Sequence, residues 1–209
     1  MAGGLFLSIE GIDGSGKSTQ LARLTARLEQ EKIAYLLNRE PGGSEVGVQI
    51  RQILLDPKNP VSATAELLLY FANRAQNVDE MIRPALAAGK LIISDRYTDS
   101  TLAYQGAARG LGQELVRNLH SIACRGTEPG LTIYLRIRPE VSAQRLSTQK
   151  KDRLEGEGAA FHQSVFEAYE QLAATEPGRI VVVDGERAEE AIAGDIWRIV
   201  MERWQGGDS

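Results

Sequence analysis

The chain has 209 residues and a formal net charge of −4, with acidic and basic residues mixed along its length. That length fits one domain, the 43% hydrophobic content supplies a core, and the charge balance argues against a general binder of nucleic-acid polymers or membrane surfaces. Cys124 is the only cysteine, which excludes an internal disulfide and reads as a small helix residue in a reducing compartment.

The N-terminal stretch MAGGLFLSIEG has neither a basic n-region nor a long h-region, so it does not read as a signal peptide. No apolar run approaches the ~20 residues that span a bilayer. The expected location is the cytoplasm. LFLSI, residues 5–9, reads as a buried strand.

Directly behind it comes EGIDGSGKSTQ. The stretch GIDGSGKS fits the spacing G-x-x-x-x-G-K-[ST]. Gly11 and Gly16 allow turns closed to residues with a Cβ, so successive N–H groups can point at an anion. The helix beginning near Lys17 adds its N-terminal partial charge. Lys17 would reach the β- and γ-phosphates of a nucleotide, and the Ser18 hydroxyl would ligate Mg²⁺. Leu21, Leu24 and Leu28 then carry a helical stripe.

AYLLN, residues 34–38, reads as the second strand, followed by REPGG. Residues 64–88 read as mostly helical, with Pro84 restarting or kinking the helix. On it, Tyr70 and Arg74 share a face. The pair suits either core packing with a snorkelling arginine or a base-stacking platform with a hydrogen-bonding arginine. The third strand, LIIS at 91–94, ends in Asp95, a carboxylate placed as expected for a residue organising a Mg²⁺ shell. Arg96 follows, and its planar fork suits an acceptor phosphate. Helical runs follow at 98–105 and 112–124, and by periodicity alone Tyr104 and Gln105 are surface or half-buried residues.

LTIYLRI at 131–137 and IVVVD at 180–184 are the remaining strands, with helices at 139–148, at 159–175 and over Ile192, Ile196, Ile199 and Val200. Between the helices lies RLSTQKKDRLE, in which Arg145, Lys150, Lys151 and Arg153 crowd a polar loop. Such a loop is either a solvated face or a mobile lid that closes over a nucleotide. His120 and His162 have no partners at ligand spacing and read as structural. Strands alternating with helices predict βαβ units and a three-layer α/β domain with a five-stranded parallel sheet. Ligands bind beyond the carboxyl ends of such strands. A GTPase switch is disfavoured: the third strand ends DRYT rather than D-x-x-G, and N-K-x-D is absent.

EGIDGSGKST, REPGGSEVG, YFANRAQ, DRYTDSTLAYQG and DRLE, in this order from about Ile9 to about Tyr169, resemble the bacterial thymidylate kinases. The resemblance implies a P-loop nucleoside monophosphate kinase fold and phosphoryl transfer from ATP to dTMP with Mg²⁺. It implies that the loop Gly11, Ile12, Asp13, Gly14, Ser15 and Gly16, with Lys17, Ser18 and Thr19, holds the ATP phosphates, and that Arg145 lies near adenine. Asp13 lies near the acceptor and its 3′-hydroxyl. Arg39, Pro41 and Arg51 line the acceptor side, and Arg39 or Arg96 touches the dTMP phosphate. Tyr70 stands where the family usually has a phenylalanine stacking on thymine, with Phe71 the next aromatic. Arg74 and Thr101 read the thymine edge, Tyr104 packs where a 2′-hydroxyl would project, and Ser100 and Gln105 line the same pocket. A homodimer packed through helices is also implied.

Some thymidylate kinases carry an arginine in the phosphate loop directly after the residue matching Asp13. Here that residue is Gly14. The stretch QKKDRLE resembles the lid of the other class, with the lid at about 147–158, so the resemblance implies Arg153 as the main catalytic arginine and Lys150 and Lys151 as weaker contributors.

Overall fold

A computed structural model describes residues 4–148 and 152–206. The five expected strands form β1 (Phe6–Glu10), β2 (Tyr35–Arg39), β3 (Leu91–Asp95), β4 (Leu131–Arg136) and β5 (Ile180–Asp184). They lie in the order β2-β3-β1-β4-β5, and every neighbouring pair is parallel. Apart from exposed Arg136 at the end of β4, the three central strands are buried along their whole length, as near-continuous apolar runs require. The edges differ: Leu37 of β2 is 45% exposed and Val182 of β5 is 39% exposed. Cover on both faces is therefore incomplete at the edges.

Alternation along β1 sorts its side chains to two faces. Leu7 and Ile9 pack with Leu21, Leu24 and Leu28 of α1 (Lys17–Gln30) and with Ile192, Ile196 and Val200 of α9 (Glu189–Gly206). Each fully buried Leu or Ile contributes about 1.5–3 kcal/mol over exposure. Phe6 turns the other way, towards Val78, Ile82, Tyr97 and Cys124. Ser8 and Glu10 share that face, and buried polar groups there need partners. Ser8 Oγ lies 2.9 Å from Thr132 Oγ1, which donates to Asp99 at 3.0 Å. Arg179 closes on Asp99 with both terminal nitrogens, at 2.7 and 2.8 Å.

The helix α2 (Glu45–Leu55) did not emerge from the sequence. Its Val and Ile residues mask a helical stripe of Ile50 and Leu54, but Ser44 is a true N-cap that accepts from Gly47 N at 3.1 Å. Gly47 is obligatory there, since a Cβ would stand 2.2 Å from the Gly42 carbonyl oxygen. The long helical run resolves into α3 (Ala63–Asn77), a π turn at Val78–Ile82 and α4 (Arg83–Ala87), which carries Pro84 in its first turn. Proline lacks the N–H that would continue the ladder, and the π turn before it takes up the change of phase. The expected helix at 98–105 likewise divides into α5 (Thr98–Thr101) and a π turn at Leu102–Ala108. It is followed by α6 (Gln113–Cys124), α7 (Pro139–Leu146) and α8 (Ala159–Thr175).

Candidate active site

A cleft of about 550 Å³ opens beyond the carboxyl ends of the strands. Most of the expected site residues line it: Asp13 to Thr19, Arg39, Pro41, Arg51, Tyr70, Arg74, Asp95, Arg96, Ser100, Thr101, Tyr104, Gln105 and Arg145. Gly11, Ile12 and Arg153 do not. Gly11 and Ile12 form the back of the loop instead, presenting carbonyls that accept from Lys17 Nζ at 2.9 and 3.0 Å. Burial pushes the Lys17 ammonium down to about 8, helped by Arg96 and resisted by Asp13, Asp95 and Glu10. A phosphate chain would replace the carbonyls with anionic partners.

Gly14 has a left-handed backbone (φ 74°), and a Cβ there would come within 3.3 Å of Leu146 and of the Ser142 carbonyl. The loop is pinned under α7, with Ser142 Oγ donating to the Asp13 carbonyl at 2.6 Å. A phosphate-loop arginine at this position would be strained by the backbone and crowded by α7. Arg145 binds the same loop from above, donating to the Gly14 carbonyl at 3.0 Å and to the Gly185 carbonyl at 3.1 Å.

Arg96 is the hub. It adopts a left-handed backbone (φ 69°), rare for a side chain with a Cβ. Three bonds hold this turn: its N–H donates to Ile9 O at 3.1 Å, Ser94 Oγ donates to its carbonyl at 2.7 Å, and Tyr97 N donates to Glu10 at 2.6 Å. The guanidinium donates to Gly11 O at 3.0 Å, Ser100 Oγ at 3.2 Å and Asp13 Oδ1 at 2.5 Å. Tyr104 donates to the other Asp13 oxygen at 3.1 Å, and its ring lies under the Arg96 fork at 5.2 Å. Burial pushes the Asp13 carboxyl up, but Arg96, Lys17 and the Tyr104 hydroxyl together hold it below its ordinary value. Tyr104 and Gln105 are buried rather than at the surface, because the π turn rolls both towards the cleft.

Arg74 is not a snorkelling residue. Its side chain is 1% exposed and its Nε meets the equally buried Glu40 at 2.6 Å. Nη2 donates to Thr101 Oγ1 at 3.0 Å, while Nη1 has no partner. Tyr70 lines the cleft beside it, whereas Phe71 packs into the core with Leu67 and Leu102. Arg39 reaches back to Asp95 Oδ2 at 3.2 Å, and Arg51 donates to the Pro41 carbonyl at 2.8 Å.

The donor set at Ser18 and Asp95 suits a Mg²⁺ ion. Ser18 is exposed in the cleft, and Asp95 Oδ1 is buried with no hydrogen-bond partner. One carboxylate, one hydroxyl and phosphate oxygens are a hard-oxygen set of the kind Mg²⁺ takes.

Arg153 departs from expectation. Its Nη1 pairs with the fully buried Glu66 at 2.6 Å, and its Nε donates to the Leu54 carbonyl at 2.8 Å. Its neighbours Asp152, Leu154 and Glu155 face the cleft, but the arginine turns away from the phosphate loop. To reach the loop it would have to abandon a buried carboxylate, which is costly. Lys150 and Lys151 lie outside the described residues. His120 is structural, as expected: Nδ1 lies 2.7 Å from Thr98 Oγ1 and Nε2 lies 3.0 Å from Glu128.

Sequence reading missed Glu10. It is fully buried behind the loop and accepts from Tyr97 N, from Ser100 Oγ at 2.5 Å and from Tyr169 Oη at 3.0 Å. Burial pushes its carboxyl up to about 7, the Asp99 charge adds to this, and Ser100, Arg96 and Tyr97 N oppose it. The native state therefore holds a proton that the unfolded chain releases at its ordinary value. Glu10's contribution to stability is full below about pH 4.5 and is lost as pH rises to about 7, by up to roughly 3 kcal/mol. Urea melts at pH 5 and pH 7.5 should show wild type losing ground against Glu10→Gln at the higher pH. Equal differences at both pH values would refute this.

The comparisons with known proteins agree with the geometry. A family model described as thymidylate kinase matches residues 9–196. A protein named thymidylate kinase from Deinococcus radiodurans is 44% identical over 97% of this chain and 99% of its own length. One from Synechococcus sp. (strain JA-2-3B'a(2-13)) is 46% identical over 95% of both chains, and one from Caldanaerobacter subterraneus subsp. tengcongensis is 44% identical over 97% of this chain and 98% of its own. With a phosphate loop, a DRY-containing third-strand end and a full-length match, this chain belongs to the thymidylate kinase family.

Proposed function

We propose that the chain transfers the γ-phosphoryl group of ATP to dTMP, giving ADP and dTDP for dTTP synthesis. The observation that carries this reading is one continuous cleft. It joins the phosphate loop to a pocket walled by Tyr70, Arg74, Thr101 and Tyr104, with Arg96 and Asp13 between them. In this reading Lys17 and the loop N–H groups hold the donor phosphates, and Arg145 flanks the adenine. Arg96, with Arg39 and Arg51 nearby, orients the acceptor phosphate in line with the donor. Tyr70 stacks on the base, and the free Nη1 of Arg74 reads its edge. Ser18 and Asp95 would hold Mg²⁺, which when bound neutralises phosphate charge. The reading is tested by ³¹P NMR of ATP incubated with each of dTMP, dUMP, dCMP, AMP and GMP. dTMP should give a diphosphate fastest, and preference for another monophosphate would overturn it.

Tyr104 should select the sugar. With its hydroxyl on Asp13 and its ring under Arg96, it is fixed against the space a 2′-hydroxyl would need. A wall of this kind rejects an added hydroxyl by about 10²-fold. Tyr104→Ala should narrow the preference for dTMP over its ribo analogue, and Tyr104→Phe should largely keep it. An unchanged ratio of kcat/KM values in Tyr104→Ala would show that the wall lies elsewhere.

The same reading includes a homodimer. Val46 and Ile53 of α2, Leu68 of α3, and Leu115 and Ile122 of α6 are exposed apolar residues on helices that pack successively. It also places the protein in the cytoplasm. A single buried cysteine supports this, and no helix among the described residues is long and apolar enough to cross a membrane.

A further inference from the structure

Glu66 has no part in the chemistry described so far, yet its carboxylate is fully buried and is met by three side chains, Gln105, Arg109 and Arg153. It starts a face of α3 that continues through Tyr70 and Arg74 at four-residue steps, the two residues that wall the base pocket. One oxygen accepts from Gln105 Nε2 at 2.7 Å and from Arg109 Nε at 3.3 Å. The other accepts from Arg109 Nη2 at 3.3 Å and forms an ion pair with Arg153 Nη1 at 2.6 Å.

These partners come from separate segments of the chain, of which Gln105 lines the cleft. Gln105 lines the acceptor pocket beside Tyr104. Arg153 belongs to a tight turn in which Asp152 accepts from Leu154 N at 2.8 Å and Glu155 N at 2.9 Å, while Glu155 accepts from Asp152 N at 3.0 Å. That turn presents Asp152, Leu154 and Glu155 to the cleft. Arg109 extends the link to Glu157 at 2.7 Å. A single carboxylate thus joins the pocket wall to a turn that lines the cleft.

We propose that Glu66 is a positioning residue that couples occupancy of the acceptor pocket to the order of the Asp152–Glu155 turn. This rests on the reading of the pocket as the dTMP site and deepens it. A nucleoside monophosphate that fixes Tyr70 and Gln105 fixes Glu66, and Glu66 fixes Arg153. Arg153 then serves as the anchor of the turn. The coupling is reciprocal, so a turn ordered by the donor nucleotide favours the acceptor equally.

Hydrogen exchange on the full chain, with and without dTMP, tests this. In wild type, dTMP should slow exchange of the Arg153, Leu154 and Glu155 amides by about tenfold, within the usual range of coupling between sites. Glu66→Gln should remove that dTMP-dependent part and raise the KM for ATP while changing kcat little. Arg153→Met, which leaves Glu66 with Gln105 and Arg109, should do the same if Glu66→Gln folds poorly. A purely structural role would instead speed exchange equally with and without dTMP. Protection by dTMP that persists in both variants, or that is missing in a wild type still making dTDP, overturns the coupling alone. A wild type that makes no dTDP overturns the activity reading and the coupling with it.

Discussion

Replacing Arg96 by alanine is expected to lower kcat/KM for dTMP by about 10³-fold or more, equivalent to roughly 4 kcal/mol of transition-state stabilisation. Phosphoryl transfer spreads negative charge over the migrating group, and the protein's part is positioning and electrostatics. Among the described residues, Arg96 is the arginine whose fork touches the phosphate loop at Gly11 and Asp13 and also Ser100 across the cleft. Arg96→Lys should recover little, because an ammonium makes a point contact where the guanidinium spans two oxygens. The backbone adds an independent check. At φ 69° an alanine keeps the strain and a glycine removes it, so Arg96→Gly should be more stable than Arg96→Ala by about 1 kcal/mol, although both should lose turnover to a similar degree. Retention of dTMP turnover within tenfold of wild type by Arg96→Ala would sink the assignment.

Arg74→Ala should have two separable effects. The first is structural: Glu40 loses its partner in a site where both side chains are 1% exposed. Removing one partner of a buried pair costs about 3–5 kcal/mol, a large share of a domain's ~5–15 kcal/mol. Burial already pushes the Glu40 carboxyl up against the opposing Arg74 charge, so loss of Arg74 should push it further up. The second effect is on recognition, where loss of a charged hydrogen bond of about 1.5–3 kcal/mol should raise the KM for dTMP roughly 10- to 150-fold. Arg74→Met combined with Glu40→Gln separates the two. The double variant should regain much of the lost stability and keep the raised KM for dTMP, with the KM for ATP nearly unchanged. A double variant that binds dTMP normally would make Arg74 a core residue only.

The strands were legible because each central one is a short apolar run with both faces covered, and the phosphate loop because its glycines and lysine sit at fixed spacing. The helix α2 was not, because only Ile50 and Leu54 mark its buried stripe, beside a Gly47 that answers to the Gly42 carbonyl. Arg74 was ambiguous because a four-residue step to Tyr70 gives the shared face but not the buried carboxylate that meets it from 34 residues away. Glu10, Glu40 and Glu66 carry no local mark of burial; their partners come from other strands and helices. A faint signal existed for Glu66, which shares the four-residue ladder with Tyr70 and Arg74. Arg153 shows a different limit. A basic loop beside a nucleotide site suggests a catalytic arginine, but only the fold reveals that its side chain turns to Glu66 and the Leu54 carbonyl.

The source of charge at the transferring phosphoryl group is tested most directly by single-turnover measurement of the chemical step, with ATP and dTMP saturating, in Arg96→Ala and Arg153→Ala. Arg96→Ala should slow the step by about 10³-fold or more, whereas Arg153→Ala, an anchor variant, should slow it by less than about tenfold, or ~1.4 kcal/mol. The reverse order, with Arg153→Ala collapsing the chemical step and Arg96→Ala leaving it nearly intact, would contradict the account and make Arg153 the arginine that acts on the transition state.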